Sequence, residues 1–388
     1  LKKKILIVTP NVSPIPDVDG GATENLTTIL LEENEKYKKN KFYICSKYTN
    51  EALNESHKFD CTDFFYYKKK FQLNIYEFFT RIFLIIKKIL CYKKYTISSY
   101  HFWALDIAKK INPDYIIASG GIYENLELFK DIFGRKKIYA WIHRNQIKTK
   151  KLDKIFYKGI CVSNHICRVW DSKSKHRSSI LLRNCYDNNR FYLTKSTLSR
   201  KNLGIPQDLF LVAYCGRLMK EKGIRELIYS ISKFKQNNIG LLLIGSSFYK
   251  NSKNTKYQND LKKLSNKLKV KIYETGFIHG SILRNYLMLC DLCVVPSVYQ
   301  EPVALVPLEA MGVGLPVIIT DVGGIKEYYD GKSLLKVSTK NLIQNLYNKI
   351  NFLRKNPKLL KKLKINGLKL AKKYQRKDFY FNFINIFK

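Results

Sequence analysis

Short apolar runs, each followed by a stretch with helical periodicity, recur along the chain. KILIV at 4–8, FYIC at 42–45, YIIAS at 115–119, KIYAWIH at 137–143 and GICVS at 159–163 form a first series. A second series comprises FLVAYCG at 210–216, GLLLIG at 240–245, VKIYETG at 270–276, LCVVPS at 292–297 and LPVIIT at 315–320. Strands alternating with helices predict repeated βαβ units around a parallel sheet, so the two series predict two doubly wound α/β domains. Between them RNCYDNNRFYLTKSTLSRKNLGIP (183–206) is polar and aperiodic, which predicts a linker with the boundary near residue 192. From Gly331 onward sixteen Lys plus Arg stand against one acid, Asp378, which predicts a pair of solvated helices. In such folds ligands bind beyond the carboxyl ends of the strands, so candidate chemistry is sought there.

Length agrees with this division, because 388 residues exceed what one hydrophobic core usually organises. Hydrophobic residues at 45% and charged ones at 26% are ordinary for a globular protein. The balance of signs is not: 70 Lys plus Arg against 31 Asp plus Glu leave +39. Such a field draws polyanions, whether nucleic acid, anionic lipid or phosphorylated substrates, unless it is only a solvated face. No RNP, zinc-finger or helix-turn-helix signature accompanies it, and charge alone gives salt-sensitive, sequence-independent nucleic-acid binding.

Phe71, Ile75, Phe78, Phe79, Ile82, Phe83, Ile86 and Ile89 fall at helical spacing between clusters of lysine. A basic amphipathic helix of this kind either packs on the sheet or lies in a membrane interface. Glu77, Arg81, Lys87 and Lys88 interrupt the stretch, so it does not read as membrane-spanning, and LKKKILIVTP is too short for a signal segment. Nine cysteines, an odd number, do not form a disulfide framework and fit reduced thiols. Cys290 and Cys293 form a lone C-x-x-C without a second ligand pair, and read as small buried hydrophobes.

Three segments at strand ends carry candidate chemistry. After the first strand, Gly20 and Gly21 precede a helix starting near Ala22, where backbone amides and the helix dipole favour an anion. Asp17 and Asp19 form a D-x-D in the same loop, read as an exposed turn and not a metal site, since no third oxygen ligand is near. After AYC at 213–215, Gly216-Arg217 and Lys222-Gly223 place two cations beside a helix start, a cradle for a diphosphate. Then, in EPVALVPLEAMGVGLPVI, Glu301 and Glu309 stand with seven residues between them. The run after Pro302 is expected to begin a helix, with Glu309 about a turn and a half further in. Carboxylates suit the hydroxyl pairs of ribose and sugars because each oxygen accepts from a separate O–H.

Together these segments resemble the retaining GT-B glycosyltransferases of family four (group one), like those of bacterial surface-polysaccharide synthesis, over nearly the whole chain. GRLMKEKG is similar to the family's GR…EKG, EPVALVPLEAMGVGLPVI to its E-P-F-G…L-E-A-M-x-x-G-x-P-V-I, and TDVGGIKEYY to the segment that follows. Val303 and Ala304 depart from the usual Phe-Gly, which alters the pocket beside the donor sugar. The resemblance implies two Rossmann-like domains facing across a cleft. It assigns 1–191 to acceptor binding, 192–370 to nucleotide-sugar binding, and 371–388 to a helix returning to the first domain. Arg217 and Lys222 would bind the diphosphate, Glu309 the ribose, and Glu301 with the backbone of Pro302, Val303, Ala304 and Leu305 the donor sugar. Gly20 and Gly21 would be donor-binding, Gly21 closing over the phosphates from the other domain, and His143 would lie near the reacting carbon. His143 and Glu301 are thus the catalytic candidates, Glu301 through hydroxyl recognition and not as a covalent nucleophile. The implied reaction moves a hexose from a UDP- or GDP-sugar to a lipid-linked saccharide with no metal or other cofactor, at the cytoplasmic face of an anionic membrane. A GT-B sugar-nucleotide epimerase or hydrolase, and a non-specific nucleic-acid-binding protein, are the competing readings.

Overall fold

The computed structural model describes residues 2–68, 82, 86, 97–174, 176–235, 238–246, 255–278 and 280–388. The amphipathic stretch expected at 71–90 lies outside them, save residues 82 and 86. Among the described residues no helix is long and apolar enough to cross a membrane. The chain divides into two units, residues 1–183 with 380–388, and residues 184–379.

In the first unit the sheet runs β3-β2-β1-β4-β5-β6-β7. The strands are β1 (Lys3–Val8), β2 (Asn40–Lys47), β3 (Thr62–Tyr67), β4 (Tyr115–Ser119), β5 (Ile138–Ile142), β6 (Lys158–Cys161) and β7 (Ser179–Leu181). All are parallel, with Ile5 opposite Phe42 on one side and Tyr115 on the other. Ile5, Leu6 and Ile7 are all fully buried, which requires both faces of the sheet to be covered and explains why the strand is uniformly apolar. Tyr380, Phe383 and Phe387 belong to this unit's core: Phe383 lies 5.5 Å from Trp141 and 6.2 Å from Phe42, and the Tyr380 hydroxyl donates to Asn34 Oδ1 at 2.9 Å.

In the second unit the order is β10-β9-β8-β11-β12-β13. These strands are β8 (Phe210–Cys215), β9 (Ile239–Ile244), β10 (Ile272–Gly276), β11 (Leu292–Val295), β12 (Val317–Thr320) and β13 (Leu335–Val337), again parallel. Chain order reverses between β8 and β11, so the loops leaving their carboxyl ends diverge and open a crevice, the usual ligand position in an open α/β sheet.

Expectation and structure differ at several points. β3, β7 and β13 were not predicted; all three are edge strands, only part-buried, and the latter two have three residues each. Asn184–Phe191 is no solvated linker, since Asn184, Cys185, Tyr186, Asp187 and Phe191 are buried, Tyr186 and Phe191 within the apolar core of the second unit. Nor does the basic segment from Gly331 form only a solvated pair of helices. It supplies β13 and helices Leu342–Arg354, Pro357–Ala371 and Arg376–Asn385, and Leu346, Ile350 and Leu353 of the first are fully buried. Its lysines occupy the outer faces. Cys290 and Cys293 are buried, as expected of small hydrophobes.

Candidate functional site

In the second unit the loops after β8 and β11 are locked together by backbone. Gly223 has φ +72°, and a Cβ there would fall 1.9 Å from the Pro296 carbonyl oxygen, so no larger residue fits. Val298 N–H donates to the Glu221 carbonyl at 2.9 Å. This zipper brings Lys222 to Glu301: the ammonium donates to both carboxylate oxygens, at 2.8 and 2.9 Å. Ser297 Oγ and Tyr299 OH donate to the same carboxylate, each at 2.8 Å. Glu301 is therefore a buried acid whose two oxygens are engaged by three donors, and not the solvated loop acid its position after a strand allows. Tyr299, missed in the sequence, also stands beside Lys222, and burial with the adjacent Glu301 pushes its phenol up.

Gly323 fixes the other side of Glu301. Its φ is +47°, its N–H donates to Gln300 Oε1 at 2.8 Å, and a Cβ would lie 2.0 Å from the Glu301 carbonyl oxygen. That carbonyl takes the Gly324 N–H at 2.7 Å.

Arg217 stands apart. Its side chain is exposed and makes no ion pair among the described residues, while its backbone carbonyl is anchored by Tyr214 OH at 2.7 Å. Of the two expected diphosphate cations, Arg217 is thus uncommitted and Lys222 is held by Glu301.

The helix after Pro302 starts later than expected, at Val306, and runs only to Gly312. Glu309 consequently sits in its first turn, its N–H bonded to the Leu305 carbonyl at 3.0 Å. The amides of Val303, Ala304 and Leu305 make no hydrogen bond among the described residues, and Val303 and Ala304 pack their side chains on the core. The Glu309 carboxyl likewise has no hydrogen-bond or ion-pair partner among the described residues. Burial raises its pKa to about 7, Asp187 adds to the rise, and Arg190 opposes it. Asp187 is itself held by Arg376 at 3.0 Å and Arg190 at 2.9 Å. A free carboxyl beside free amides, backed by a fixed ion network, has the complement of a diol next to an anion.

In the first unit Gly20 and Gly21 do lead into a helix, Ala22–Tyr37, with Gly21 as its N-cap. Both amides, however, are already engaged by Asp17 Oδ1, at 2.8 and 3.1 Å. Asp17 is buried and not in an exposed turn, and a carboxylate of the chain fills the anion position the glycines offer. At Gly21 the backbone has φ −79°, open to any residue, and a Cβ would meet only the movable end of the Glu24 side chain. His143 follows β5, its ring 4.8 Å from that of Trp141. Nε2 is buried without a hydrogen-bond partner, and burial lowers the pKa to about 3, so the imidazole is neutral and suited to accept a hydrogen bond. Among the described residues no group of three or more His, Cys, Asp or Glu is arranged to hold a metal.

Residues 195–370 match the model of the family described as glycosyl transferases group 1. That span contains Arg217, Lys222, Glu301 and Glu309. An uncharacterized glycosyltransferase of Methanocaldococcus jannaschii is 34% identical over 131 residues, 33% of this chain and 31% of the relative. The lipopolysaccharide 1,2-N-acetylglucosaminetransferase of Salmonella typhimurium is 26% identical over 156 residues, 39% of this chain and 41% of the relative. The chain thus spans about a third of the length of the curated relatives it matches. Across whole chains, the Anabaena HepE structure in complex with UDP-glucose superposes with a TM-score of 0.75 at 16% identity, covering 99% of both. The two Rossmann-like units therefore share the fold of that structure over the whole chain.

Proposed function

We propose that this protein is a glycosyltransferase that moves a sugar from a nucleoside-diphosphate donor, UDP- or GDP-linked, to a lipid-linked saccharide. The observation that carries the reading is the grouping on the β8 and β11 loops. An uncommitted guanidinium, a buried carboxylate fixed by Lys222, Ser297 and Tyr299, free amides at 303–305 and an unpartnered carboxyl at Glu309 all fall within the matched span. Arg217 takes the diphosphate by bidentate contacts, the 303–305 amides and Glu301 take donor-sugar hydroxyls, and Glu309 takes the ribose diol. Charge on the departing diphosphate is stabilised by Arg217, Lys222 and backbone dipoles, with no metal in the scheme. Lys222 has a double duty, since it also orients Glu301.

The finer terms of the proposal follow from the family resemblance: a hexose donor, retention at the anomeric carbon, a role in surface-polysaccharide synthesis, peripheral attachment to the cytoplasmic membrane face, and the parts given to Gly20, Gly21 and His143. For the glycines, phosphate contact requires displacing Asp17 from their amides. His143, being neutral, serves as a hydrogen-bond acceptor and not as an acid.

The test is a panel of UDP- and GDP-sugars with lipid-linked saccharide acceptors, run with and without EDTA, the product's anomeric configuration being read by NMR. Arg217→Ala and Glu309→Ala are expected to lower kcat/KM at least about a hundredfold, the loss of roughly 3 kcal/mol of transition-state binding. Full activity in either variant overturns the site. Donor turnover independent of acceptor favours the epimerase or hydrolase reading.

A further inference from the structure

Helices Ile224–Ser232 and Lys256–Lys267 of the second unit border a cavity of about 730 Å³ that contains none of the donor-binding candidates. Its size lies in the range of small-molecule sites. Inside it Glu226 Oε2 is buried with no hydrogen-bond partner, and the side chain makes no ion pair among the described residues. The Tyr257 hydroxyl is also buried without a hydrogen bond of normal geometry, although the Arg225 backbone lies near enough to influence it. A carboxylate oxygen removed from water and left without a donor is costly, so its persistence points to a partner that brings O–H or N–H groups.

The remaining lining narrows that partner. Tyr229 and Tyr257 offer flat rings, which suit the C–H face of a pyranose. Lys220, Arg225, Lys263 and Lys267 are exposed and border the same cavity, outnumbering the one exposed acid there, Asp260; the Arg225 guanidinium is held beside Tyr229, 5.7 Å from its ring centroid. One end of the cavity thus accepts hydrogen bonds from hydroxyls and its border attracts a compact anion. A neutral sugar would leave the cations unused, and inorganic phosphate would leave Glu226 unsatisfied and repelled. We propose that this cavity binds a monosaccharide phosphate at a site that uses none of the donor-binding candidates, although Lys220 on its border belongs to the β8 loop.

The experiment is isothermal titration of the full chain with glucose 1-phosphate, glucose 6-phosphate and mannose 6-phosphate, with glucose and inorganic phosphate as separate arms. At least one hexose phosphate is expected to bind, with affinity about tenfold or more above either arm alone. Glu226→Gln is expected to weaken it about tenfold, and Lys267→Ala, an exposed change with little risk to folding, several-fold. Arg217→Ala is expected to leave it unchanged. Thermal unfolding of each variant establishes that it is folded. The proposal is overturned if no hexose phosphate binds, if inorganic phosphate binds equally well, or if Arg217→Ala abolishes binding while folded Glu226→Gln and Lys267→Ala do not.

Discussion

Glu309→Gln separates the cost of a buried carboxylate from the shape of the side chain. In the folded protein burial holds the Glu309 pKa at about 7 against an ordinary 4.5. The difference, 7 minus 4.5, at 1.36 kcal/mol per unit, amounts to about 3 kcal/mol as an upper estimate. The sign follows from proton counts. Between pH 4.5 and 7 the folded chain holds a proton at Glu309 that the unfolded chain has released, so stability falls as pH rises through that window and levels off above it. Glutamine removes the titration. The variant is therefore expected to match wild type near pH 4.5 and to exceed it by up to about 3 kcal/mol at pH 8. Taking the variant minus wild type at each pH cancels other titrations, including those of His101 and His143, whose pKa values burial lowers to about 4 and 3. Trp103, Trp141 and Trp170 all lie in the first unit, so their fluorescence does not report on this one. Amide hydrogen exchange of peptides covering 306–320 does. A difference that stays flat from pH 5 to 8 refutes the claim that Glu309 is desolvated and unpartnered. On the proposed function a second readout follows: ribose hydroxyls donate to the charged carboxylate, so UDP binding near pH 7 releases a proton, detected by calorimetry in buffers of different ionisation enthalpy.

Lys222→Met leaves the Glu301 carboxylate buried with only the Ser297 and Tyr299 hydroxyls, at a cost of about 3 kcal/mol, and adding Glu301→Gln is expected to restore much of it. The same exchange measurement reads both, and additive losses would refute the pairing. Gly323→Ala forces a methyl into the Glu301 backbone in a left-handed conformation; it is expected to cost at least about 2 kcal/mol and to raise the donor KM, and a neutral substitution would refute the tight approach.

The central strands were legible because both faces of each are covered, which leaves runs such as KILIV and LPVIIT uniformly apolar. Edge strands β3, β7 and β13 were not, because short, part-buried segments such as TDFFYY carry little periodicity. Arg217, Lys222, Glu301 and Glu309 were legible as chemistry at strand ends, but their pairing was not. That Lys222 neutralises Glu301 while Arg217 stays free depends on the approach of two loops 79 residues apart, set by Gly223 against Pro296. Asp187 was misread because DNNR is as polar as any linker; its signal was the placement of Cys185, Tyr186 and Phe191 around it, apolar residues with no reason to line a solvated connection. Asp17 was hidden similarly, since a pair of acids in a Pro-rich loop does not disclose that neighbouring amides will enclose one of them.

The first unit is completed by residues that follow the whole of the second in the chain. Tyr380, Phe383 and Phe387 fill its core, yet the ribosome has to deliver all of 184–379 before they emerge. The second unit, continuous in sequence, is free to fold during synthesis. The first must wait with a gap against Trp141 and Phe42, in a chain already carrying a finished neighbour. Order of assembly is thereby written into the polypeptide, and a release delayed short of Phe383 leaves aromatic surface open to chaperones.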